Sequence, residues 1–284
     1  MILPRERLNS YLNRKNRNAA SLLAAASICK DAALRQEARR LYPDDPRVLL
    51  DSLLRNELSH EERGRALELI RKTEPDNSLA DYLLAKECFE QGNADGGIDA
   101  LCKGCAKPLI DGHVQEMVQE REEAYRDAGY SLDQAAGAAH WGAELLQVKQ
   151  PLVDLSKLVL AMREGYVEAG DANSARLLAL MGSRMGEQMQ LQTGTRFIID
   201  DLVALSVESR FLAVMSPAEQ LVAGGQTAGD RLAELNRQKV LIKDLTHNVA
   251  PPEALPPSVK IEFFRQMDIG GELEAFRWLK SAGY

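Results

Sequence analysis

Three prolines, Pro43, Pro75 and Pro108, stand 32 and 33 residues apart, and each ends a pair of short segments with helical apolar spacing. Proline stops a helix because it lacks the ladder N–H and its ring collides with the preceding turn. A regular stop with two helices per period confines the first half of the chain to stacked helical hairpins. Each hairpin has an apolar face that only a neighbour can cover. Composition points the same way. Aromatic residues make up 5% of the 284 positions, and β-branched runs bounded by turn residues are nearly absent. A core rich in Ala and Leu suits close helix packing better than sheets. The two longest apolar runs, 152–160 and 197–207, also fit helical spacing. The expected fold class is all-α.

In this half the pattern predicts helices over 4–15, 19–29, 31–41, 46–57, 60–73, 78–91 and 95–106. Asp31 is an N-cap candidate, and Pro46 falls in a first turn, where a missing N–H does no harm. Ser59 and Glu62 have the spacing of a capping box. Residues 78–108 form the clearest unit: two helices joined by Gln91-Gly92-Asn93 and closed by Pro108. Leu84, Ala85 and Cys88 lie in its first helix, while Gly97 and Gly104 take the small positions of the second.

These residues resemble the tetratricopeptide-repeat family, best over 44–108, with a weaker echo at 157–181 through Tyr166, Ala169-Gly170-Asp171 and Ala175. The chain departs from the family pattern in places. Glycine stands at 97 and 104 where alanine is usual, Asp81 where an aromatic is usual, and Arg63-Gly64 where the preceding unit wants alanine. Gly92 and Gly170 lie 78 residues apart, which is no whole number of periods. The resemblance implies a hairpin superhelix whose concave groove, lined by first helices, takes a peptide or partner helix. It nominates Leu79, Tyr82, Lys86 and Phe89, one stripe of helix 78–91, as partner-binding residues. The lysine–asparagine carboxylate clamp of the family's chaperone-tail binders is not visible.

Beyond Pro108 the expected helices are 112–127 and 132–147, then longer ones at 151–169, 172–192, 195–214 and 217–247, the last broken at Gly224-Gly225. Residues 249–257, VAPPEALPP, read as a stiff, extended linker. The final segment, 258–282, reads as an aromatic-rich helical hairpin that either caps the stack or offers a docking face. The organisation expected is TPR-like repeats over 1–129 and a C-terminal helical array over 130–284. With no flexible linker before Val249, these form one continuous body.

Charge narrows the partners. The net value is −7, but residues 1–40 carry nine Lys/Arg against three acids, leaving the rest at −13. An acidic bulk argues against nucleic acid. The basic start is either a solvated helix face or a segment lying near an anionic surface. No run of eighteen apolar residues spans a membrane, and the charged N-terminus lacks a signal-peptide core. Four cysteines form no disulfide framework, so the expected location is the cytoplasm. An apolar segment upstream of Met1 would instead make this the soluble portion of a membrane-tethered bacterial or periplasmic protein.

Chemistry-bearing motifs are sparse. Cys102 and Cys105 form a lone C-x-x-C, and zinc needs two more ligands; Cys88 and His113 are the nearest candidates. Packing cysteines are expected. His60, His113, His140 and His247 make no paired metal motif. Asp200 and Asp201 are adjacent, so on a helix they diverge by about 100° and form no catalytic dyad. Phosphate-loop and nucleophile-elbow motifs are missing, and the glycines at 224, 225 and 229 lack a preceding strand and a lysine. The expectation is a non-catalytic protein–protein interaction scaffold that uses no cofactor or metal. The alternative is a helical enzyme or small-molecule binder with a pocket around His140, Trp141 and Tyr166.

Overall fold

The computed structural model describes residues 3–141, 148–191, 196–221, 225–247, 249 and 251–284. Among them lie fifteen α-helices: α1 Arg5–Arg14, α2 Ala19–Cys29, α3 Ala32–Leu41, α4 Pro46–Leu54, α5 His60–Thr73, α6 Leu79–Glu90, α7 Ala94–Ala106, α8 Val114–Asp127, α9 Leu132–Trp141, α10 Lys149–Glu168, α11 Ala172–Gln190, α12 Ile198–Ala213, α13 Ala228–His247, α14 Pro257–Gly270 and α15 Glu272–Ser281. No strand occurs among the described residues, and the only β pairs are two isolated bridges, Asn77–Leu109 and Gln220–Thr227. The chain is all-α.

Local chemistry sets the helix starts. Side chains of Asn18, Asp31, Asp45, Asn93 and Asp171 each accept a first-turn amide of α2, α3, α4, α7 and α11. Ser59 and Glu62 close the capping box of α5 reciprocally. A cap of this kind contributes about 1 kcal/mol.

Three expected spans differ. The helix expected over 46–57 ends at Leu54, because Asn56 turns left-handed (φ 56°) and Glu57 N donates back to Ser52 O at 3.0 Å. The helix expected from 217 starts only at Ala228. Residues before it fold back on themselves: Ala228 N donates to Glu219 O (2.8 Å) and Gly229 N to Pro217 O (2.9 Å), while Thr227 Oγ1 accepts from Asp230 N. These backbone bonds and the Thr227 side chain take the place of helix continuation here. Gly224 lies outside the described residues, as do 142–147 of the helix expected over 132–147. The linker at 249–257 is extended on both sides of a single 3-10 turn, Pro252–Ala254, and is anchored by buried Leu255.

Three hairpins succeed one another: α2/α3, α4/α5 and α6/α7. The next helices do not extend the row. Helix α8 packs on α2 and pairs with α9; α10 packs on α6 and leads into α11, α12 and α13, each against the one before. Helix α14 packs on α9 and α15, and α15 reaches α13. Among the first helices of the hairpins, α2 is thus covered by α8 and α6 by α10 of the same chain. The largest core cluster draws on both sides of residue 129, joining Leu50, Leu53 and Tyr82 to Leu152, Leu155 and Met185. Close approach needs small residues: a Cβ on Gly186 of α11 would lie 2.6 Å from the Glu208 backbone N of α12.

The basic N-terminus has partners within the chain. Arg14 pairs with Asp127 and Lys15 with Glu120 and Glu123, all three acids on α8. Arg5 pairs with Asp31, Arg17 with Glu37 and Arg39 with Glu57. Tyr11, fully buried, donates to Glu120 Oε2 at 2.6 Å in the same seam. The charge asymmetry along the sequence is largely neutralised in three dimensions. No described helix is long and apolar enough to cross a membrane.

Candidate functional site

Helix α6 divides the nominated stripe. Leu79 and Tyr82 are buried, facing the core rather than solvent. Tyr82 Oη donates to Gln188 Oε1 on α11, and the Gln188 amide donates to Gly104 O (3.2 Å) and Lys107 O. Burial raises the Tyr82 phenol well above its ordinary range, with the neighbouring Cys105 adding to it. The Tyr82 ring lies over Gly104 and the Phe89 ring over Gly97, so a Cβ at either glycine would collide with an aromatic carbon. The two departures from the repeat pattern therefore make room for two aromatics of the paired helix. Asp81, fully buried where an aromatic is usual, sits between Arg71 Nε (2.7 Å) and Lys107 Nζ (2.6 Å).

The other two members of the stripe lie nearer the surface. Lys86 Nζ pairs with Glu90 at 2.6 Å, and Phe89 is half-buried. Lys86 edges a cleft of about 410 Å³ where α4, α5, α6 and α10 meet. Leu54, Leu83 and Pro151 supply its apolar surface; Arg63, Lys86 and Asp154 its charge.

A second polar constellation ties the α5–α6 junction to the segment before α8. Asn77 Nδ2 donates to Asp111 O (2.8 Å), Asp111 N returns to Asn77 Oδ1 (3.0 Å), and Ser78 N donates to Leu109 O (2.9 Å). His113, left-handed at φ 56°, places Nε2 2.9 Å from Glu74 Oε1, with Asp111 at 4.0 Å and Glu116 at 3.8 Å. Burial alone would lower its pKa, but the surrounding carboxylates prevail and the net direction is up. The Glu74 carboxyl is held low: burial opposes this, and the His113 pair and the bond from Asn77 outweigh it.

The pocket trio is not brought together. His140 is fully buried, stacked on Phe264 at 4.9 Å, with Nε2 3.1 Å from Asp268 Oδ1 and Nδ1 2.8 Å from Ala136 O. Trp141 meets the edge of the same ring at 6.4 Å and is half exposed. Tyr166 packs against a different core cluster, near the C-terminal end of α10. The cysteines are all free. Burial pushes the Cys105 thiol up to about 11, and its sulfur lies 3.4 Å from Met181 O. Among the described residues no His, Cys, Asp and Glu group has the geometry to hold a metal. His113, one of the two nearest candidates for a further ligand, is surrounded by carboxylates.

Asp200 and Asp201 have different nearest partners. Asp200 accepts from Phe197 N at 3.2 Å, and Asp201 lies 3.4 Å from Arg196. Sequence reasoning missed what surrounds them: buried Lys149, lowered to about 8 by desolvation, and buried Glu272, which accepts from Ile198 N at 2.7 Å. Burial raises Asp200, Asp201 and Glu272 alike. No local pattern marks Lys149, which opens α10 like any surface lysine.

No protein-family model, curated protein or solved structure matches this chain.

Proposed function

We propose that this chain is a tetratricopeptide-like helical-hairpin protein whose work is to bind another protein, without catalysis of its own. The observation that carries this is the cleft beside Lys86. It lies between α4 and α6, the first helices of successive hairpins, and combines apolar Leu54, Leu83 and Pro151 with charges of both signs. That combination suits an apolar anchor side chain flanked by polar contacts. The nominated stripe contributes through Lys86 at the rim, while buried Tyr82 acts from below by tying α6 to Gln188 of α11. Shape and apolar anchoring supply affinity, and the acidic surface biases partner choice.

A photo-crosslinking amino acid at exposed Gln150, on the cleft, tests this against the same group at exposed Val240 on α13. The expected result is a discrete protein captured from Gln150 alone and lost on Lys86→Glu with Asp154→Arg. Identical capture from both positions, or no protein captured while a small metabolite raises the melting temperature, would sink the proposal.

A further inference from the structure

His113 occupies a place that docking at the cleft does not explain. It separates two voids: one of about 70 Å³ enclosed by α2, α4, α8 and Val148, the other of about 340 Å³ bounded by 109–116 and Leu191. The smaller void is lined by Leu50 and Leu54 of α4. The segment separating the voids holds to the rest of the protein through Asn77, Ser78 and the His113–Glu74 pair.

We propose that His113 is a proton-operated clasp: protonated, it holds segment 109–113 on the α5–α6 junction and keeps the two voids apart; deprotonated, it lets that segment and the first turn of α8 lift, joining them into one cleft over Leu50 and Leu54.

The groups facing the imidazole set the sign. Glu74 comes from the α5–α6 junction, Asp111 from the segment itself and Glu116 from α8. Helix α4 presents Arg47, paired with Asp45 (2.7 Å) and with Glu116 (3.5 Å), and the Asp51–Arg55 pair (2.9 Å) on the same void. Around this void α2 offers Ala20, Leu23 and Ser27, and α10 is preceded by Val148; none of these titrates. The carboxylates of Glu74, Asp111 and Glu116 beside the ring favour the imidazolium, consistent with its raised pKa. A group raised in the fold contributes its full stabilisation below its unfolded pKa and loses it as pH rises through the folded one. The clasp is therefore tightest below the ordinary imidazole pKa and loosens as pH rises through the raised one. It works whether or not a partner docks beside Lys86.

Hydrogen exchange on the full chain reads this directly. The reporters are the amides of Ser78, Asp111 and Met117, which donate to Leu109 O, Asn77 Oδ1 and His113 O. Protection factors, corrected for intrinsic rates, are expected to fall several-fold as the His113 ring deprotonates, followed by NMR, with amides of α12 unchanged. His113→Asn keeps a residue that tolerates the left-handed conformation but does not titrate there; its protection is expected to be flat with pH. Glu74→Gln is expected to move the ring titration, and the loss of protection with it, to lower pH. Flat protection in the wild-type chain while the ring titrates would overturn the clasp. So would a pH-dependent loss that persists in His113→Asn.

Discussion

At the residue scale, two buried sites invite opposite substitutions. Gly186 lies so close to the Glu208 backbone that Gly186→Ala has nowhere to put its methyl. A loss of about 1–3 kcal/mol is expected, measured as a lower urea midpoint with an unchanged slope. Lys149 is the reverse case. Its folded pKa, about 8, lies below the ordinary 10.5, so between these values the unfolded chain binds the extra proton and stability rises with pH. Wild type is expected to gain up to roughly 3 kcal/mol over that window relative to Lys149→Met, read from denaturation at pH 8 and pH 10. A parallel pH dependence in both proteins would contradict the buried lysine. The neighbouring acids contribute at the other end: with folded pKa values raised, Asp200, Asp201 and Glu272 bind protons more readily in the fold, so their contribution grows as pH falls through those values. Tyr82→Phe strips the donor from Gln188 Oε1 and is expected to cost roughly 1–3 kcal/mol, because the acceptor stays buried.

At the element scale the sequence is most transparent where local chemistry decides. The capping box at Ser59 is readable from spacing alone, and Ser59→Ala is expected to destabilise by about 1 kcal/mol in thermal or urea melts. Helices α2 and α5 begin and end where their caps and apolar spacing put them. Legibility fails where distant contacts decide. Apolar spacing carries through Leu221, yet bonds from Pro217, Glu219 and Thr227 delay α13 to Ala228. Glycine at 97 and 104 reads as weakness within one helix, but it is the counterpart of Phe89 and Tyr82 on another. The candidate site shows the same limit. Lys86 is found by its position on a helix face, whereas the buried bond of Tyr82 depends on Gln188 of α11, encoded about a hundred residues later. His113 carries no local signal, since Glu74 reaches it only through the pairing of two loops.

At the scale of the whole molecule, the three hairpins depend on helices encoded later in the chain. Helix α8 covers α2 and α10 covers α6, while Lys15 and Arg14, at the end of α1, pair with acids of α8. A fragment of residues 1–112 is expected to melt without cooperativity, and to recover a cooperative transition when mixed with 113–284. A sharp, independent melt of the fragment would mean that the hairpins form a self-sufficient stack. The same dependence has a consequence during synthesis. Leu50, Leu53 and Tyr82 emerge from the ribosome well before the chain that shields them, an interval on the order of several seconds. Translation speed across the codons after Pro108 thus becomes a determinant of yield. Slow synonymous codons there are expected to send more of the nascent chain to chaperones and aggregates, with no change in any amino acid.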